Sequence, residues 1–131
     1  MSNGNIQGIA YNVIPVQDIM KSANWFKEHF HFNIRHQTEN SVSLFKENRP
    51  ILHLLHSSDE SRAFFTIDNK KKWVITFFTD DIKKLHEKLS SKNVQVSKIS
   101  YEGENGNFFT FEDIDGNIFD VWEHHNCELI F

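Results

Sequence analysis

A single cysteine, Cys127, in a chain of 131 residues excludes an intrachain disulfide, and no companion Cys/His motif stands at metal-binding spacing around it. Cys127 reads as an ordinary thiol. Long apolar runs are missing too. No stretch approaches the roughly 20 residues that a membrane-crossing helix needs, so no membrane is expected as a partner. The opening segment, MSNGNIQG, is polar and lacks the apolar centre of a secretion signal, which predicts a cytoplasmic protein. Basic clusters interleaved with aromatics are absent, and the net charge is -4 with neutral histidines, so no nucleic-acid partner is expected. The short basic run Lys70, Lys71, Lys72 reads as a solvated loop.

What the chain does have is a globular balance, with 39% hydrophobic and 24% charged residues, and thirteen phenylalanines for an aromatic-rich interior. Its length suits one domain, residues 1–131, with a real core. GIAYNVIPV, residues 8–16, reads as a strand. Asp18 then stands at an N-cap, with Ile19, Ala23, Phe26 and Phe30 at helical spacing, predicting a helix from about Asp18 to Phe30. Three short strand-like pieces follow: NIRHQTENSV, SLFKEN and PILHLLHS. The pattern then restarts. WVITFFT is a strand, Asp80 and Asp81 can cap a helix carrying Ile82, Leu85 and Leu89, and VQVSKISY, NFFTFED and NIFDVWEH supply three more strands.

A strand–helix–strand–strand–strand unit is therefore written twice, over about residues 6–58 and 72–125. VQDIMKSANWF matches TDDIKKLHEKL in pattern, and Asp-Ile recurs at 18–19 and 81–82. The fold class expected is α+β, two βαβββ units paired into a concave sheet with the helices outside. The competing reading is an α+β domain without internal symmetry.

The densest stretch, FEDIDGNIFDVWEHH, places acids, a glycine and two histidines in fifteen residues. It fails as a calcium loop. Gly116 comes only three residues after Asp113, and the twelfth position is His124 rather than glutamate. Asp115-Gly116-Asn117 instead reads as a turn that sets the register of the following strand. Strand parity then groups Ile118, Asp120, Trp122 and His124 on one face, with Phe119 and Val121 on the other, under a helix. PILHLLHS aligns with this strand. Ile51, His53 and Leu55 share the open face, and Leu52, Leu54 and His56 face the helix side. His124 and His125 point opposite ways and do not chelate together. His29, His31 and His36 read as solvated or helix-terminal, and His86 as a residue of the second helix surface.

The order of these elements resembles the vicinal oxygen chelate superfamily, the glyoxalase, bleomycin-resistance and extradiol-dioxygenase group. The first half carries a strand, VQD, and a helix with the aromatic pair Trp25-Phe26. The second carries FEDIDGNIFDVWE, with Ile114 where the family pattern has proline. The resemblance implies a homodimer and a cavity for a small-molecule ligand. In metal-dependent members the ligands come from the first and last strands of each unit. Those positions fall here on Tyr11, His53, Val74 and Asp120. Val74 has no donor atom, and a phenol is a poor ligand while protonated. The expectation is therefore no metal cofactor. If a divalent metal ion is present, His53, Asp120 and Tyr11 are its ligands.

The expected ligand-binding set is Tyr11, His53, Leu55, Val74, Thr76, Phe78, Asp120 and Trp122, with Val13 filling in. Asp120 would anchor a cationic group and Trp122 would offer a π face. Each aromatic could equally be core packing, and His53 a core histidine bonded to a neighbouring hydroxyl or carbonyl. The leading expectation is a binding protein that sequesters, senses or carries its ligand. The alternative is a lyase, isomerase or thiol-transfer enzyme in which His53 and Asp120 are the catalytic candidates.

Overall fold

A computed structural model of the chain describes residues 3–124; Cys127 and His125 lie outside the described residues. The chain divides into two compact units, one through Asp59 and one from Glu60 onward. No helix among the described residues is long and apolar enough to cross a membrane.

The first unit holds β1 (Asn12–Val16), α1 (Ile19–Phe30), β2 (Asn33–Arg35), β3 (Ser41–Lys46) and β4 (Arg49–His56). Its sheet runs β1-β4-β3-β2, with β1 parallel to β4 and the other pairs antiparallel. Asp18 caps α1, its Oδ1 accepting from the Lys21 N–H at 3.0 Å. The helix stops at His31, which takes the left-handed conformation at φ 60°. Phe26, Ala23 and Ile19 from α1 are buried with Ile14, Val42, Leu44, Leu52 and Leu54 from the strands. The other face of every strand is left without helix cover. β1 begins four residues later than the apolar run suggests: residues 8–11 lie outside any strand, with Ile9 85% exposed.

The second unit repeats the scheme with β7 (Ile75–Phe78), α2 (Ile82–Ser91), β8 (Ser100–Tyr101), β9 (Asn107–Glu112) and β10 (Ile118–Glu123). The sheet order is β7-β10-β9-β8, and β7 is parallel to β10. Asp81 caps α2 through Lys84 N–H, and Glu123 reaches from β10 to the Ile82 N–H at 2.8 Å, tying the helix start to the sheet. Phe77, Phe111 and Phe119 stack in the core at centroid distances of 5.1–6.3 Å, and His86 of α2 meets Phe109 edge-on.

Two local expectations are corrected. VQVSKISY forms only the two-residue β8 plus an isolated bridge from Val96 to Phe111. The Ser97 hydroxyl accepts the Thr110 N–H at 2.8 Å, so a side chain takes the donor that a longer ladder would use. Lys70, Lys71 and Lys72 are a strand rather than a loop. β6 (Lys70–Lys72) pairs with β5 (Phe65–Ile67) across Asp68-Asn69, both at positive φ, the two-residue turn that suits strand twist.

Candidate functional site

The two units place matching residues in matching register. In the first, Val13 on β1 is the partner of His53 on β4; in the second, Thr76 on β7 is the partner of Asp120 on β10. Val13 and Thr76 each stand five residues before the helix-capping aspartate, so His53 and Asp120 hold equivalent places.

On β10, the alternation expected from sequence holds for the core face: Phe119 and Val121 are buried at 0% and 1%. The open face of the second unit carries two rows. One is Thr76–Asp120–Thr110 and the other is Phe78–Trp122–Phe108, each read straight across β7, β10 and β9. Thr76 Oγ1 donates to Asp120 Oδ2 at 3.1 Å. Asp120 is only 3% exposed. Burial pushes its carboxyl up to about 6; hydrogen bonds from Thr76 and the Val121 N–H oppose the rise, and the charge of Glu102 adds to it. Trp122 stacks with Phe108 at 6.4 Å and 13°, and its Nε1 donates to the Asn105 carbonyl at 2.9 Å, which holds the indole in place. His124 sits against Trp122 at 5.2 Å, with Nε2 3.2 Å from the Glu104 carbonyl. Val74 lies before β7 and is 65% exposed, and Phe78 is 44% exposed.

The open face of the first unit holds Tyr11, Val13, His53 and Leu55. The Tyr11 and His53 rings lie 5.7 Å apart, and His53 Nδ1 is 3.1 Å from Ser43 Oγ. The neighbouring hydroxyl foreseen for a packed histidine is thus present, on a ring that stays half-exposed. Phe108, Thr110, Glu102 and Ser43 did not enter the sequence-based set. Antiparallel pairing brings Phe108, Thr110 and Ser43 beside Trp122, Asp120 and His53, and that pairing was the missing signal; Glu102, just after β8, acts on Asp120 through its charge. Among the described residues no three His, Cys, Asp or Glu side chains gather in a way that could hold a metal ion.

The turn before β10 is a closed knot. Asp113 Oδ1 accepts from the Asp115 and Asn117 N–H groups at 2.9 Å, and Asn117 Nδ2 donates to Asp113 Oδ2 at 2.8 Å. Asn117 Oδ1 accepts the Ala63 N–H at 2.7 Å. Gly116 has φ 89°. A second glycine, Gly106, lies in the turn GENGN before β9. At φ 95°, a Cβ there would run into the Glu123 carbonyl oxygen and come within 2.6 Å of Trp122 Nε1.

No curated protein sequence matches the chain. Solved structures do match over nearly its whole length. A lactoylglutathione lyase from Agrobacterium tumefaciens shares 14% identity and a TM-score of 0.68, with 90% of this chain and 94% of that one covered. FosX, a fosfomycin resistance protein from Listeria monocytogenes, gives 13%, 0.73, 91% and 94%. TnmS3, an antibiotic binding protein from Streptomyces sp. CB03234, gives 16%, 0.67, 91% and 97%. At such identities these likenesses speak for the fold alone. The family model for the Glyoxalase/Bleomycin resistance protein/Dioxygenase superfamily matches residues 8–121, and the chain therefore belongs to that superfamily.

Proposed function

We propose that the protein binds a small organic molecule without a resident metal, and sequesters, senses or carries it. The observation that supports this most is the paired rows on the second unit: a buried carboxylate between two threonines, beside the aromatic row Phe78–Trp122–Phe108. Such a surface offers one charged anchor and a flat apolar wall, the usual division of labour in a ligand site. On the second unit Val74 and Thr76 extend this contact set, and on the first unit Tyr11, His53 and Leu55 offer a separate candidate surface. The donor set Tyr11, His53, Val74 and Asp120 does not fit a tightly held divalent ion, because Val74 has no lone pair to give and only His53 and Asp120 are good ligands. The reading takes the protein to be a cytoplasmic homodimer; the exposed apolar residues Ile9 and Val13, with β1 the end strand of its sheet among the described residues, support the dimer. Sedimentation equilibrium measures that state.

Quenching of tryptophan fluorescence by planar organic cations, before and after chelator treatment, tests the proposal. Binding should survive the chelator. Asp120→Asn should weaken cationic ligands by about tenfold relative to neutral ones of the same shape, and Trp122→Ala should weaken both. Binding that vanishes with chelator and returns with one divalent metal would overturn it.

One observation favours the enzyme alternative. An Asp120 carboxyl raised to about 6 exchanges its proton near neutral pH, as a general base must. A turnover activity lost in Asp120→Asn while ligand binding persists would establish that reading instead.

A further inference from the structure

The strands of the two four-stranded sheets carry opposite charge. β1 to β4, read as NVIPV, NIR, SVSLFK and RPILHLLH, contain no Asp or Glu. β7 to β10, read as ITFF, SY, NFFTFE and IFDVWE, contain no Lys, Arg or His. On the first unit, register places Arg35 beside Ser43 and Ser43 beside His53, so the three cross β2, β3 and β4 in one row. Partner positions point to the same face, and the contact between Ser43 and His53 bears this out. That face is opposite the one α1 covers with Val42, Leu44, Leu52 and Leu54.

Arg35 is held there by stacking. Its guanidinium carbon lies 4.7 Å from the centre of the Phe45 ring, the diagonal neighbour on β3. Among the described residues no carboxylate pairs with it. An uncompensated guanidinium, a hydroxyl and an imidazole therefore line up on a sheet face whose strands supply no negative charge. With neighbouring strands about 4.8 Å apart, the row from Arg35 to His53 spans roughly 10 Å, within the reach of an arginine side chain around a tetrahedral or planar oxyanion.

We propose that this row is an anion subsite, and that the ligand carries a phosphate, phosphonate or carboxylate group which Arg35, Ser43 and His53 receive. The proposal rests on the small-molecule reading and narrows its ligand class. Arg35 supplies a two-pronged charged donor. Ser43 Oγ lies 3.1 Å from His53 Nδ1; in the proposed subsite the hydroxyl donates to Nδ1, so that the ring proton on Nε2 is a further donor. Ser43 is thus a positioning residue that sets the tautomer, and Arg35 and His53 make the contacts.

Nitrogen-15 NMR of the His53 ring, in the full chain at constant ionic strength, tests this during titration with inorganic phosphate, methylphosphonate and acetate. The expected result is a saturable shift of Nε2 with at least one of these anions. Arg35→Gln should weaken apparent affinity about tenfold, Arg35→Lys should retain part of it, and Ser43→Ala should redistribute the tautomers. Arg35 is exposed, so its variants test the proposal even if Ser43→Ala folds poorly. Shifts that grow linearly with anion and are unchanged in Arg35→Gln would overturn the subsite. So would saturation that maps to Lys70–Lys72 instead. Quenching of tryptophan fluorescence by organic cations in the same samples separates the two proposals. Quenching without an anion effect overturns the subsite alone. A saturable anion effect without quenching supports the subsite and counts against the cation-binding face.

Discussion

The two units are built on one scheme and finished with different chemistry. In both, an aspartate caps the helix, the first strand runs parallel to the last, and the same register pair sits at the centre of the open face: Val13 with His53, Thr76 with Asp120. The differences lie in two places. The first unit joins its last two strands through the short Glu47-Asn48 turn, with Glu47 at φ 57°, whereas the second uses the five-residue knot from Asp113 to Asn117. The first unit's open face is basic and hydroxylic, and the second's is acidic and aromatic. The comparison teaches that burial preserves the backbone scheme through the helix-facing positions, leaving the alternate positions free to diverge.

The sharpest break in this comparison should come from Gly106, for which the first unit has no counterpart. Gly106→Ala forces a Cβ against the Glu123 carbonyl and Trp122 Nε1 at φ 95°. It should cost on the order of 3 kcal/mol and shift the Trp122 emission, read by denaturant titration with fluorescence. Unaltered emission would show that the indole does not depend on this close approach.

Asn117→Ala should follow at about 2 kcal/mol, because it strands the Ala63 N–H and removes one donor to Asp113. Amide exchange should quicken first in β9 and β10. Equal quickening in β3 and β4 would mean that the knot serves the whole chain. Gly116→Val comes next, at about 1 kcal/mol. Its backbone needs φ 89°, but an added Cβ meets nothing closer than Arg62 Nε at 3.7 Å, so only the conformational term is lost. An unchanged melting midpoint would refute the need for glycine there.

A further effect is a pH dependence carried by Asp113 and Asp120 of the second unit. Burial raises both Asp113 and Asp120 from 3.8 to about 6, so the folded chain holds these protons more tightly than the unfolded chain. Their contribution to stability is full below pH 3.8 and is lost as pH rises through about 6. Asp120→Asn removes one of the two titrations. The difference in melting midpoint between wild type and variant should therefore change between pH 4 and 6 and level off above it. A flat difference would mean that Asp120 is not desolvated.

The repeat, both helices with their caps, the alternation along β4 and β10 and the superfamily were legible in the chain. Each rests on local spacing: Asp18 and Asp81 before apolar runs of helical period, Leu52 and Leu54 alternating with Ile51 and His53, Phe119 and Val121 alternating with Asp120 and Trp122. These patterns arise from the geometry of a single helix or strand, so the order of residues along the chain alone determines them. Lateral partnership was decided by tertiary structure. Thr110 beside Asp120, Phe108 beside Trp122, Ser43 beside His53 and Arg35 beside Ser43 come from positions 8 to 14 residues apart, brought together by the register of antiparallel pairs. The same holds for Gly106, whose need for a bare Cα comes from the Trp122 ring and the Glu123 carbonyl packed against it. Register depends on which faces are buried and how the turns close, so a side chain's neighbours across a sheet exist only once the chain has folded.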